Sequence, residues 1–166
     1  MSRARQLAPW LATAAVVVAA DQATKALVQA SLAPGERIAV IPFADLVLVF
    51  NTGAAFSFLA GAGGWQRGFF IAIAVGAIAL IGWLLARHSG ERVFCAGLAL
   101  ILGGATGNLW DRATLGHVVD FVLLHAGGWH FPAFNVADSA ITVGAGLLIW
   151  DGLFGKREDG TVRGKG

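Results

Sequence analysis

The sequence predicts an all-α integral membrane protein built on four transmembrane helices. Three observations lead there. Hydrophobic residues make up 57% of the 166 and charged residues only 13%, against about 25% charged in soluble domains, and the mean hydropathy is +0.70. Four stretches are long and apolar enough to cross a bilayer, where ~18 residues at 1.5 Å each rise roughly 27 Å. Lysine and arginine are also divided unequally between the two sets of loops that four spans create. The chain has room for one membrane domain over 1–166 and none for a separate soluble one. Its net charge of +2 is spread without a basic face, so no nucleic-acid partner is expected.

The first span is expected over residues 7–29, apolar to Ala20 and polar-spotted beyond. It follows Arg3 and Arg5 as a leader would, but it runs on through Asp21-Gln22-Ala23-Thr24-Lys25 and further spans follow, so it reads as a retained helix. Residues 38–50 are apolar but short, β-branched and broken by Pro42 and Asp45, which fits a strand or surface hairpin. The second and third spans, 69–86 and 93–110, carry no charge; the fourth, 136–154, carries Asp138 and Asp151 near its ends. Gly103 and Gly107 form a small-residue face on the third helix, and Gly144 and Gly146 thin the fourth, as close helix packing requires. The lone cysteine, Cys95, excludes an internal disulfide and reads as a small buried hydrophobe. The polar, glycine-rich tail 156–166 is expected to fray.

Four spans put both termini and the loop 87–92 on one side. That side holds Arg3, Arg5, Arg87, Arg92, Lys156, Arg157, Arg163 and Lys165; the other holds only Lys25, Arg37, Arg67 and Arg112. The positive-inside bias then places both termini in the cytoplasm. Trp10, Trp83 and Trp150 fall near the inner ends of their spans, and Trp65, Trp110 and Trp129 near the outer ends, as interfacial belts do.

This orientation gathers Asp21, Lys25, Asn51, Asn108, Arg112, Asp120, Asn135 and Asp138 near one outer level. A carboxylate at membrane depth costs on the order of 2.5–3.5 kcal/mol on insertion scales, so two of them point to a use. Asp120 and Asp138, if they meet, can share one proton: one activates water and the other donates to a peptide carbonyl. The competing arrangement pairs Asp120 with Arg112 and has Asp138 cap the fourth helix. Asp21 and Lys25, at i and i+4, suit an ion pair, or a lysine reaching the headgroups. Asn108 and Arg112, also i and i+4, can hold an extended peptide by its carbonyls, or Arg112 can reach phosphates. Asp111 points elsewhere on that helix and reads as structural. Ser57 lacks a serine-elbow context. His117, His125 and His130 lack zincin spacing, so no metal site is expected.

Taken in order, Asp21-Gln22-Ala23-Thr24-Lys25, Asn51-Thr52-Gly53-Ala54-Ala55-Phe56-Ser57, the run from Gly103 to Arg112, Val118-Val119-Asp120-Phe121 and Phe134-Asn135-Val136-Ala137-Asp138-Ser139 closely resemble the lipoprotein (type-two) signal peptidases of bacteria. The resemblance covers nearly the whole chain. It implies a membrane aspartic endopeptidase that cleaves diacylated prolipoproteins just before the lipidated cysteine. It implies Asp120 and Asp138 as the catalytic dyad, Asn51, Asn108, Arg112 and Asn135 as residues lining the site, and Asp21 and Lys25 as its support. It implies a fold of four helices with a small outer β-cradle, fitting 38–58, and a short outer helix near 115–127. It also implies no metal or organic cofactor, membrane lipids as neighbours, and a monomer in the inner membrane. A small transporter or channel subunit is the competing class, but a transport path spreads polar groups through the membrane, whereas here they share one layer. A structural subunit would leave both aspartates dispensable.

Overall fold

The computed structural model describes residues 3–53 and 63–155 of the chain, without the side chains of the first two. Among the described residues four helices carry the fold: α1 (Arg3–Ser31), α2 (Trp65–Arg87), α3 (Arg92–Thr114) and α4 (Val136–Phe154). Each is long and apolar enough to cross a membrane. The helices begin and end within a few residues of the expected spans. They overrun them equally at the starts of α1 and α2 and at the outer end of α3, where the polar Asp111 and Arg112 continue the helix beyond its apolar run.

Packing is inverted relative to a soluble bundle. Val16, Leu27, Ile149 and Leu153 are each more than 60% exposed, whereas Asp21, Lys25, Asp111 and Asp120 are all at most 2% exposed. A surface of that kind suits hydrocarbon, which does not repel apolar side chains as water does. Close approach of the helices follows from glycine. A Cβ on Gly97 would lie 2.8 Å from the Gly144 carbonyl, and one on Gly103 would lie 2.7 Å from the Ala14 carbonyl. One on Gly104 would strike the Ala137 carbonyl, so α3 touches α1 with one glycine and α4 with its neighbour. Gly146, by contrast, meets nothing. A core of Ile81, Leu85, Cys95 and Leu98 fills the other end of the bundle, and Trp10 packs on it. Cys95 is fully buried, as a small hydrophobe should be.

Among the described residues the outer elements are four antiparallel strands in the order β1 (Arg37–Ile41), β2 (Ala44–Asn51), β3 (Val118–Ala126) and β4 (Trp129–His130). The expected hairpin at 38–50 is β1 and β2, turned at Pro42 and Phe43; residues 54–58 of the expected cradle lie outside the described residues. The short outer helix expected near 115–127 is a strand instead. Gly116, at φ 85°, ends the helical path. Beyond it Val118, Val119 and Val122 are β-branched and pair with β2 from Val118↔Asn51 to Leu124↔Ala44. That register puts Asp120 opposite Val49, with a bulge between Leu46 and Val49. Leu48, Val119 and Phe121 then bury themselves against Val28 and Leu32 of α1. The sheet also holds Asp45, bonded by Arg37 Nε. Burial alone would raise its pKa, but the Arg37 hydrogen bond and the neighbouring His125 hold it below the usual carboxylate range.

Candidate active site

Asp120 sits in β3, tied to β2 and to the segment that returns toward α4. The backbone N–H groups of Phe121 and Val122 both donate to the Phe134 carbonyl, at 3.0 and 2.8 Å. This pins Asn135 and the start of α4 next to Asp120. Asn135 is the N-cap of α4: its Oδ1 accepts from Asp138 N–H at 2.9 Å, and the Asp138 side chain accepts from Asn135 N–H at 3.3 Å. A capping box of this kind orders both side chains through the helix start. Asp138 therefore does cap the fourth helix, and it does so while facing the same cavity as Asp120. The two readings of that residue were not exclusive.

Asparagines join the two carboxylates. Asn135 Nδ2 donates to Asp120 Oδ1 at 2.7 Å, and Asn108 Nδ2 donates to Asp138 Oδ1 at 2.8 Å. Asn135 Nδ2 also lies 3.2 Å from Asn108 Oδ1, closing the chain between them. Asn51 Nδ2 donates to the other oxygen of Asp120 at 3.0 Å. Its own Oδ1 accepts from Gly53 N–H at 2.9 Å, so the turn chemistry of Asn-Thr-Gly and the contact to Asp120 coexist in one side chain. Asp120 is buried and lies near the charge of Asp138. Both effects oppose its ionisation and push its pKa up to about 7, against the stabilising bonds from Asn51 and Asn135.

Beneath this layer lies a lysine with every proton in use. Lys25 Nζ meets Asp21 at 2.7 Å, Asp111 at 2.8 Å and Asn108 Oδ1 at 3.0 Å. An ammonium has three donors, and here each has an acceptor. Asp21 Oδ1 accepts from Ala137 N–H at 2.9 Å, satisfying a free donor in the first turn of α4. Room for that reach comes from Gly107, where a Cβ would lie 2.5 Å from Asp21 Oδ2. Asp111 further accepts from Gln22 Nε2 at 2.8 Å and from Val119 N–H at 3.2 Å. Lys25 does not reach outward; it joins α1 to α3, and through Asn108 to Asp138.

Arg112 faces the cavity, as its spacing from Asn108 requires. Among the described residues it makes no ion pair with Asp120. Its Nη2 donates to the Gly53 carbonyl at 2.9 Å, and its guanidinium lies 5.1 Å from the Phe70 ring centre. The cavity has a volume of about 850 Å³ and runs from Asn51, Asn108, Arg112, Asp120 and Asp138 to an apolar wall of Trp129, Phe131, Phe134, Ile141 and Val143. All eight residues singled out in the sequence belong to this one assembly. Asn51, Asn108, Arg112, Asp120 and Asp138 line the cavity. Asn135 is fully buried and does not line it but bonds Asp120 from behind, and Asp21 and Lys25 hold the layer from below. Gln22 and Asp111 also belong to the lower layer. Among the described residues no three His, Cys, Asp or Glu side chains gather as a metal-binding set.

Comparison with known proteins decides the family. Residues 13–154 match the family model described as signal peptidase (SPase) II. The chain belongs to the signal peptidase II family. It is 57% identical over 147 residues to the lipoprotein signal peptidase of Paraburkholderia phymatum (strain DSM 17167 / CIP 108236 / LMG 21445 / STM815), covering 89% of each chain. It is 55% identical over 152 residues to that of Janthinobacterium sp. (strain Marseille), covering 92% of each. Among solved structures it superposes on a bacterial membrane enzyme determined by the in meso method at 2.3 Å resolution. The TM-score is 0.81 at 30% identity, covering 92% of this chain and 93% of that one. A second such structure, at 1.9 Å resolution, gives 0.78 at 30% identity, covering 90% and 96%. This signal peptidase II family member is thus a multi-pass bacterial membrane protein and a peptidase.

Proposed function

We propose that this enzyme is a membrane aspartic endopeptidase that removes signal peptides from diacylglyceryl-modified prolipoproteins, cutting just before the lipidated cysteine, with Asp120 and Asp138 as its catalytic dyad. The observation that carries the reading is that carboxylates from two separate stretches line one largely apolar cavity, each held by its own asparagine. Asp120, with its raised pKa, enters the reaction protonated, and Asp138 ionised. Asp138 takes a proton from water as the oxygen adds to the scissile carbonyl carbon. Asp120 gives its proton to the carbonyl oxygen, forming a neutral gem-diol. On collapse Asp138 returns a proton to the leaving nitrogen, the C–N bond breaks, and a hydroxyl of the gem-diol reprotonates Asp120. Acid, amine and the starting protonation state are all recovered.

Asn51, Asn108 and Asn135 aim the carboxylates, and Arg112 holds peptide carbonyls along the cavity. Asp21 and Lys25 maintain the platform. The termini lie in the cytoplasm and the cavity opens at the outer leaflet of the inner membrane. A diacylated cysteine keeps its chains in the bilayer, each buried CH₂ contributing about 0.8 kcal/mol, so the scissile bond waits at that level without crossing the membrane. The enzyme works as a monomer among membrane lipids. In proteoliposomes, a diacylated precursor peptide is expected to be cut with kcat/KM at least ~100-fold above the unmodified peptide, since that anchoring is lost. Equal rates would make this a general membrane protease instead.

The protonation of Asp120 sets the pH dependence. Its folded pKa of about 7 lies above the ordinary 3.8, so the folded enzyme binds the extra proton between those values. Its contribution to stability is full below about pH 4 and fades as pH rises through about 7. Activity follows the same proton: kcat/KM is expected to fall about tenfold per pH unit above neutrality, as the pair loses its shared proton. Thermal stability should fall across the same range in the parent and stay level in Asp120→Asn. A rate that is flat to pH 9 would contradict the assignment.

A further inference from the structure

We propose that Arg67, with Phe70 one turn further along α2, is a positioning residue for Arg112; the inference rests on the reading of Arg112 as the holder of substrate carbonyls. The argument begins at the end of α3. The N–H groups of Leu115 and Gly116 both return to the Asp111 carbonyl, at 2.7 and 3.2 Å. The carbonyls of Arg112 and Ala113, in the last turn, take their donors from another helix. Arg67 Nε donates to Arg112 O and Arg67 Nη2 to Ala113 O, both at 2.9 Å. A cationic fork on free helix carbonyls matches both their hydrogen-bonding need and the negative end of the helix.

The same face of α2 holds the other end of Arg112. Phe70 is i+3 from Arg67, and its ring lies 5.1 Å from the Arg112 guanidinium carbon. One residue is thus gripped at its carbonyl and at its side chain by a single turn of α2. The grip extends to the dyad through short links. Arg112 Nη2 bonds the Gly53 carbonyl, Gly53 N–H bonds Asn51 Oδ1, and Asn51 Nδ2 bonds Asp120 Oδ2. Gly116, in the turn between α3 and the strand of Asp120, also lies against Arg67: a Cβ there would be 3.6 Å from Nη1. Arg112 Nε is buried and has no partner among the described residues. Buried donors are rarely left so, and this one belongs to a side chain lining the cavity. The guanidinium of this residue is thus held from α2, and α2 sets where it points along the cavity.

The test is a double-mutant cycle on proteoliposome-reconstituted enzyme with diacylated peptide. Arg67→Ala is expected to lower kcat/KM about tenfold, mostly through KM, because what is disturbed is a contact to the substrate backbone. In an Arg112→Lys background, already impaired, Arg67→Ala should lower it less than twofold further, since both act through one side chain. Arg67→Lys keeps the charge but not the fork, and should lie nearer the alanine variant than the parent. Should Arg67→Ala fail to accumulate as folded protein, Phe70→Leu enters the same cycle, with a several-fold loss expected that again disappears beside Arg112→Lys. Losses that multiply in full, a parent-like rate in Arg67→Ala or Phe70→Leu, or full rescue by lysine would each overturn the proposal. A parent-like Arg112→Lys enzyme would overturn the reading of Arg112 with it; an impaired one beside a parent-like Arg67→Ala leaves that reading standing and removes only this inference.

Discussion

Asp120→Asn and Asp138→Asn each yield an inserted, folded protein that cleaves diacylated precursor at least about 10⁴-fold more slowly than the parent. The size follows from how the two carboxylates share work. General acid and base each contribute roughly 10²–10⁴, and residues that act as one unit lose most of their joint effect when either goes. The double variant should therefore be little slower than the single ones. The two substitutions differ in what else they disturb. Asp120 accepts from Asn135 and Asn51, and an amide in its place presents one oxygen and one nitrogen, so one of those amides must turn. Asp138 is also half of the capping box on α4. Asp138→Asn keeps an acceptor for the Asn135 N–H, which makes asparagine the informative substitution there; alanine would remove a cap worth about 1 kcal/mol as well. Uncut, lipid-modified precursor accumulating in membranes, with the variant at normal abundance, is the result to look for. Substantial cleavage by either variant would remove the dyad.

Much of this arrangement is written in the order of residues, for physical reasons. Membrane depth is a one-dimensional quantity, and helix rise converts sequence position into depth. Asp21, Asn108, Asp120 and Asp138 could therefore be placed in one layer without knowing any contact. Helical periodicity likewise paired Asp21 with Lys25 and Asn108 with Arg112. Contacts between stretches are not encoded that way. Nothing in spacing says that Asn135 reaches Asp120 while capping Asp138, because this depends on the Phe134 carbonyl receiving two N–H groups from β3. Asp111 was rightly separated from Arg112 in direction, but its place as second anion on Lys25 needed the packing of α1 on α3. Its i+3 spacing from Asn108 was the available hint. The strand at Val118–Ala126 was legible in its β-branched residues, and an outer helix was expected there from the resemblance instead. Arg67 gave no signal: an arginine at the start of an outer helix turn is ordinary, and only the folded chain brings the end of α3 to it.

Lys25→Met should lower stability by about 3–5 kcal/mol, the range found when one partner is taken from a buried ion pair. For a chain of this size that is a fall in Tm of roughly 6–20 °C. The reason is charge balance in a closed space. Lys25 is 2% exposed, Asp21 and Asp111 no more so, and their contact distances are 2.7 and 2.8 Å. Methionine matches the lysine stem in volume but leaves two carboxylates facing each other with no cation between them. The damage also has a direction. Asn108 Oδ1 loses its ammonium donor and keeps only the longer contact from Asn135, so its amide is freer to turn away from Asp138. Activity should then fall by more than the loss of folded protein explains. Arginine should not rescue, because its planar fork cannot present three protons from one nitrogen into this space. Neutralising the anions should: Asp21→Asn with Asp111→Asn, added to Lys25→Met, should recover a good part of the Tm and little of the rate. The Asn108–Asp138 alignment still lacks the Lys25 donor in that triple variant. Recovery of both together would mean that Lys25 stabilises the bundle and does nothing for the geometry above it.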